Sequence, residues 1–332
     1  MKILITGGCG FLGARLARTL LARERFSLAG RPAAPITRIV LADRVAPPGD
    51  LAADPRIEAI EGDLIDLLEQ QRLSLAGVDA VVHLAAAVSA ECEADLDLGL
   101  RSNLQATLAL LQACRTLPTA PVFVFSSSLA VFGSTPQGPM PAVILDDTLP
   151  TPQGSYGIQK FMCEQLVADF GRKGFVDARN VRLMTVSVRP GRPNGAASGF
   201  LSGMIREPLA AQACTVPVAA ETRVALASPA ATIAGLMRTL ECAAQHWGAR
   251  TAVNFPSVSV TVGEMAQALR AVGGASAHGL LTWNPDPAIE RLVGSWPGRF
   301  RTDRAQNLGL PQDPDFESVI RDYIRENPSA VA

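Results

Sequence analysis

The sequence predicts an α/β fold: a doubly wound parallel sheet of the Rossmann type with a smaller C-terminal substrate lobe. Three observations predict it. An apolar strand, Ile3-Leu4-Ile5-Thr6, runs directly into a glycine turn and then a helix. Further short apolar strands follow before Pro190, with helical stretches between them. Polar and small residues gather at the C-terminal ends of those strands. Continuous apolar strands alternating with helices indicate a parallel sheet covered on both faces. Its crossovers are right-handed, and ligands bind beyond the strands' carboxyl ends.

The elements follow in chain order. The turn Gly7-Gly8-Cys9-Gly10-Phe11-Leu12-Gly13 carries G-x-G-x-x-G at Gly8, Gly10 and Gly13, and a looser spacing at Gly7, Gly10 and Gly13. Glycine permits the tight turn, the approach of backbone to a pyrophosphate and close helix packing. The helix it opens, residues 14–23, directs unpaired N–H groups and a positive dipole end at that phosphate. Strands are predicted at 38–42, 57–61, 78–84, 122–125 and 182–188, and helices at 96–115 and 156–170. Beyond Pro190, residues 191–226 show little period. A helix at 229–245, a strand at 252–255, a helix at 261–272 and a last helix at 316–325 complete the chain. Thr261 and Glu264 form a capping-box pattern at the third of these. The expected division is 1–190 plus 227–256 for the dinucleotide-binding part, and 191–226 plus 257–332 for the substrate lobe.

Composition excludes several classes. The chain has 332 residues, 48% of them hydrophobic, which suffices for a large core. A net charge of −1 gives no general attraction for nucleic acid or an anionic membrane. No apolar run reaches the ~18 residues of a spanning helix, and no signal-peptide pattern opens the chain. Six cysteines lie scattered without C-x-x-C, as expected of reduced cytoplasmic thiols. The three histidines have no ligand spacing, so no metal is expected.

Asp43 ends the second strand. A carboxylate there binds both ribose hydroxyls and repels a 2′-phosphate, which selects NAD over NADP. It lies later than usual after the glycines, and a loop at 26–37 with two prolines accounts for the delay. Asp63, after the third strand, either reaches the adenine edge or caps a helix.

The catalytic signal is Tyr156-x-x-x-Lys160 with Ser126-Ser127-Ser128 upstream. Positions i and i+4 share a helix face, so phenol and ammonium converge. The ammonium and a cationic nicotinamide are expected to lower the phenol pKa from ~10. Tyr156 then takes a proton from a substrate alcohol as hydride leaves the same carbon. Lys160 also holds the nicotinamide ribose, and Ser128 hydrogen-bonds the reacting oxygen.

These pieces resemble an extended short-chain dehydrogenase/reductase, the family of sugar-nucleotide epimerases and dehydratases. The resemblance runs from Met1 to about Leu310. It rests on the glycine turn, Gly62-Asp63-Leu64, His83-Leu84-Ala85-Ala86, Asn103, Phe125-Ser126-Ser127-Ser128, Tyr156-Gly157-x-x-Lys160 and Arg304-Ala305-x-x-Leu308-Gly309. It implies Ser128, Tyr156 and Lys160 as the triad. It implies Gly7, Gly10, Phe11, Leu12, Asp43, Asp63, Leu64, Ala85, Ala86, Ala87, Asn103 and Ser126 at the NAD, joined by Tyr156 and Lys160. Asn103 is placed there as a support for the active-site helix or a water.

Two departures point to a branch. Arg189-Pro190-Gly191-Arg192-Pro193-Asn194-Gly195 replaces the usual Asn–Tyr–Gly–Pro type motif, and Asn254-Phe255-Pro256-Ser257 lacks the usual glycine-rich turn. Both weaken a uridine-diphosphate site. Residues 224–229 resemble the D-erythronate dehydrogenase branch, which oxidises C2 of a four-carbon sugar acid. That implies a sugar-acid substrate contacted by Ser127, Ser128, Tyr156, Arg192 and Asn194, with Arg192 on the carboxylate. The alternatives are a nucleotide-sugar 4-epimerase that retains its NAD, and an NAD-sensing regulator. A homodimer is expected, with Leu104, Leu108 and Leu111 as an apolar stripe pairing beside helix 156–170.

Overall fold

The structure is a computed structural model that describes residues 1–136, 138–191, 197–248 and 250–331. Its strands are β1 (Lys2–Thr6), β2 (Arg38–Asp43), β3 (Ile57–Glu61), β4 (Ala80–His83), β5 (Val122–Ser128), β6 (Asp177–Leu183), β7 (Thr185–Val186), β8 (Cys214–Val216), β9 (Arg223–Ala227), β10 (Val253–Asn254), β11 (Val258–Thr261) and β12 (Leu281–Trp283). Seven of them form one sheet in the order β10-β6-β5-β4-β1-β2-β3. Every pairing in it is parallel. The fold class expected from the sequence is thus the one observed.

The period of two along each strand assigns side chains to two covered faces. Ile3, Ile5, Ile39, Leu41, Val82 and Val124 meet Leu16 and Leu20 of the helix Phe11–Leu21, together with Leu236 and Leu240 of the helix Pro229–Glu241. Leu4, Val40, Val81, Phe123 and Phe125 meet Leu110 and Leu111 of the helix Ala106–Arg115 and Val167 of the helix Ser155–Arg172. The strand order reverses between β1 and β4, so the crevice opens above their carboxyl ends.

A second core lies beyond the sheet. It joins the helices Phe200–Leu209, Val262–His278 and Phe316–Glu326 through Leu201, Met204, Met265, Leu269 and Ile320. Two small sheets, β11-β9-β7 and β12-β8, belong to this region. β9 links the cores: Ala225 and Ala227 face the first, while Val224 and Leu226 face the second.

Several predicted bounds are corrected. The sixth strand is β6 at Asp177–Leu183, not 182–188, and Thr185–Val186 pairs instead with β9. β6 carries two arginines that disguise it. Arg179 is fully buried against Asp177 and the carbonyls of Thr239 and Cys242; Arg182 is buried against Glu164. The helix predicted at 96–115 is Leu96–Gly99, a π-helical segment Leu100–Gln105 and Ala106–Arg115. The helix at 229–245 breaks after Glu241. The helix predicted at 261–272 extends to His278, across a kink at Gly274. Its predicted capping box forms, with the Glu264 N–H donating to Thr261 Oγ1 at 3.1 Å and the Thr261 N–H to Glu264 Oε2 at 2.6 Å. Leu111 is wholly buried in its own core, so it does not share an outward stripe with the half-buried Leu104 and Leu108. No helix among the described residues is long and apolar enough to cross a membrane.

Candidate active site

A cleft of about 560 Å³ runs along the carboxyl ends of the sheet. Its first wall is the glycine turn. Gly7 has φ +68°, and its N–H donates to the Ala42 carbonyl at 2.8 Å. A Cβ on Gly13 would strike the Gly7 carbonyl oxygen, so the helix Phe11–Leu21 can approach the turn only with glycine there. Gly7, Gly10 and Gly13 line the cleft, whereas Gly8 packs inward against Ile5 and Leu41. The helix has no side-chain cap at Gly10, which leaves its first N–H groups available to a phosphate.

Asp43 ends β2 and Arg44 follows it, and Asp63 and Leu64 follow β3; all four line the cleft. Asp43 Oδ2 accepts from the N–H groups of Cys9 at 2.9 Å and Gly10 at 3.1 Å. Asp63 caps the helix Leu64–Glu69 through the Ile65 N–H at 3.1 Å and pairs with Arg101 at 3.0 Å. It is thus the helix cap, the second of the roles considered for it, and it borders the cleft.

Ala85, Ala86 and Ala87 continue the wall after β4. Asn103 does not line it. Its side chain is buried behind, accepting from the Ala87 N–H and donating to Gln159 Oε1, each at 2.8 Å. The placement of Asn103 at the cofactor is corrected: it holds the Ala87 loop and the Tyr156 helix together. The π-helical widening at Leu100–Gln105 carries this residue.

Ser126, Ser127 and Ser128 close β5. Ser126 Oγ donates to the His83 carbonyl at 2.8 Å. Ser127 also lines the cleft, and its Oγ donates to buried Glu164 at 2.5 Å. Glu164 also binds Arg182 through two contacts, at 2.9 and 2.7 Å. Ser128 stays at the cleft with Tyr156, and its Oγ accepts from the Ala130 N–H at 3.2 Å.

The helix Ser155–Arg172 brings Tyr156 and Lys160 in. A Cβ on Gly157 would strike the Ala130 carbonyl oxygen, so glycine lets this helix sit against the turn that follows Ser128. Lys160 Nζ donates to the Ser126 carbonyl at 2.8 Å and lies 5.6 Å from the centre of the Tyr156 ring. Burial pushes the Tyr156 phenol up to about 12, with the Ser128 hydrogen bond opposing. The lowering expected from Lys160 and a cationic nicotinamide together is not seen in the protein chain itself, where burial is the largest influence on the phenol. Burial likewise brings Lys160 down to about 8. His83, held between Thr6 Oγ1 at 2.6 Å and Thr107 Oγ1 at 2.9 Å, falls to about 3 through burial and Lys160. It is a neutral link rather than a base.

The far end of the cleft is lined by Met184, Thr185, Val186, Arg189, Ser198 and Trp296. None was singled out as a site residue. Arg189 stood in a noticed motif; Trp296 carries no signal a single sequence reveals. Arg192 and Asn194, expected at the substrate, lie outside the described residues.

A model of the NAD dependent epimerase/dehydratase family matches residues 3–224. The chain is 47% identical over 326 residues to a D-erythronate dehydrogenase of Cupriavidus necator, covering 98% of each. It is 41% identical to one of Haemophilus influenzae, covering 98% of this chain and 99% of the other. Among solved structures it resembles a nucleoside-diphosphate-sugar epimerase of Agrobacterium tumefaciens, with TM-score 0.88, 36% identity and coverage of 99% and 95%.

Proposed function

The chain belongs to the NAD dependent epimerase/dehydratase family, and on that premise we propose that it is an NAD-dependent dehydrogenase of a small sugar acid. The reaction oxidises the C2 hydroxyl of an acid such as D-erythronate to the 2-keto acid, with formation of NADH. The observation that carries the chemistry is the meeting of Ser128, Tyr156 and Lys160 on the cleft that starts at the glycine turn. The two relatives named D-erythronate dehydrogenase, matched over nearly their whole length, support the substrate class.

The cleft suits the cofactor. The helix Phe11–Leu21 has no side-chain cap, and the pyrophosphate would lie at its N-terminal end, against the glycine turn. Asp43 would take the adenosine ribose, and the Ala85–Ala87 backbone and Lys160 would border the nicotinamide half. When bound, NAD supplies the hydride acceptor. Tyr156 accepts the proton from the C2 hydroxyl, and Ser128 fixes the oxygen from which it leaves. Lys160, held by the Ser126 carbonyl, keeps positive charge beneath the Tyr156 ring.

The second reading is an epimerase, favoured by the name of the Agrobacterium structure. An NADH-absorbance screen across C4–C6 aldonates and UDP-sugars separates them. NADH from an aldonate supports the dehydrogenase; interconversion of UDP-sugars without net NADH supports the epimerase.

The proposed assembly is a homodimer. Ile158 and Met162, one turn apart on the Tyr156 helix, are 45% and 43% exposed, and Leu104 and Leu108 remain half-buried beside them in sequence order on the neighbouring helical segments. Such a face suits an isologous four-helix seam. Six unpaired thiols fit a reducing compartment such as the cytoplasm.

A further inference from the structure

The far end of the cleft presents a cation with no acidic partner among the described residues. Arg189 follows β7, half-buried, and lines the cleft with Ser128, Tyr156, Thr185 and Val186. Its backbone is clamped at both ends to the helix Phe200–Leu209. The N–H donates to Ser202 Oγ at 3.0 Å, and the carbonyl accepts from Arg206 Nη1 at 2.8 Å. The guanidinium itself has neither a hydrogen bond nor an ion pair among the described residues.

The neighbouring charges are already matched. Lys160 is bound to the Ser126 carbonyl, and Arg206 is paired with Glu207 at 2.5 Å. The acidic residues on the cleft are Asp43, which ends β2, Asp63, which follows β3, and Glu91, which accepts from the Val88 N–H at 3.0 Å. None of them pairs with Arg189. Burial and the nearby Arg206 both disfavour the charged guanidinium. An anion arriving there would relieve both effects.

We infer that Arg189 is the anchor for the substrate's carboxylate, so that the site selects 2-hydroxy acids over neutral alcohols of the same size. A guanidinium fork matches a carboxylate in two parallel hydrogen bonds. The carboxyl carbon of a 2-hydroxy acid is bonded directly to the reacting carbon. Gripping it therefore orients the C2 hydroxyl toward Tyr156 and Ser128. This assignment rests on the dehydrogenase reading above and moves the carboxylate contact from Arg192 to Arg189.

The test compares D-erythronate with its primary amide, which keeps the hydroxyls and removes the charge. Arg189→Gln should lower kcat/KM for D-erythronate by about 30- to 1,000-fold, while kcat/KM for the amide and the Kd for NAD stay within about 3-fold of wild type. Arg189→Lys, which keeps the charge without the fork, should fall between wild type and Arg189→Gln, and it carries the same comparison if the glutamine variant does not fold. Equal losses on acid and amide overturn the assignment. So does full activity of Arg189→Gln on the acid, or a loss confined to Arg192→Gln. Calorimetric titration of D-erythronate into wild type and Arg189→Gln separates the two levels of the proposal. Arg189-dependent binding without turnover sinks the dehydrogenase reading and leaves the anchor standing. Turnover that is indifferent to Arg189 does the reverse.

Discussion

The Lys160 ammonium stands 5.6 Å from the centre of the Tyr156 ring and gives a hydrogen bond to the Ser126 carbonyl rather than to the phenol oxygen. The two residues are one helical turn apart, so the backbone alone brings them to one face. The lysine is thereby tied to the end of β5, while the tyrosine lines the cleft with Ser128. Their roles separate accordingly.

Tyr156→Phe removes the proton acceptor and keeps the ring. Turnover should fall by about 100- to 10,000-fold, with NAD affinity nearly unchanged. Because burial holds the phenol high, oxidation by wild type should speed up as pH rises, and the residual rate of the variant should lose that rise. Stopped-flow NADH formation across pH tests both points; full activity in the variant removes the mechanism.

Lys160 allows a stability test that needs no substrate. Its pKa is lowered to about 8 in the fold from 10.5. The unfolded chain therefore holds more protons between those values, and this group's contribution to stability improves as pH rises through that window. Lys160→Met should be more stabilised relative to wild type at pH 7 than at pH 10. Thermal melts of the two proteins at both pH values measure the narrowing; a gap that widens with pH contradicts the buried, depressed lysine.

Asp43 should make NAD strongly preferred over NADP, since a carboxylate lining the cleft at the end of β2 would repel a 2′-phosphate. Asp43→Asn should raise NADP use relative to NAD. Comparable wild-type turnover with both cofactors at equal concentration would shift the discrimination onto Arg44.

Glu164 and Arg182 form an ion pair with side chains only 2% and 6% exposed. Glu164→Ala leaves the guanidinium buried and also strips Ser127 of its acceptor. A loss of about 3–5 kcal/mol in stability is expected, measured by urea unfolding. A loss under 1 kcal/mol would show that Arg182 finds other partners, with Asn254 at 3.4 Å the first candidate.

The assembly is checked at the exposed pair on the Tyr156 helix. Ile158→Asp with Met162→Asp should convert a dimer into a monomer by light scattering at micromolar concentration. An unchanged mass would move the interface elsewhere.

The sequence by itself determined whatever depends on neighbours along the chain. The continuous apolar run Ile3–Ile5 leading into a glycine turn marked a strand, Gly7, Gly10 and Gly13 marked the turn, and the four-residue step from Tyr156 to Lys160 placed both on one helix face. Tertiary structure decided what depends on distant partners. The hydrogen bond of the Ser127 hydroxyl goes to Glu164, 37 positions away. Asn103 was drawn off the cleft by Ala87 and Gln159. β6 hid behind Arg179 and Arg182 because a charged residue reads as exposed until its buried partner is known. Arg189 was legible as a motif but not as a site: its significance is the lack of a described partner, and that is a property of three-dimensional surroundings which no local pattern encodes.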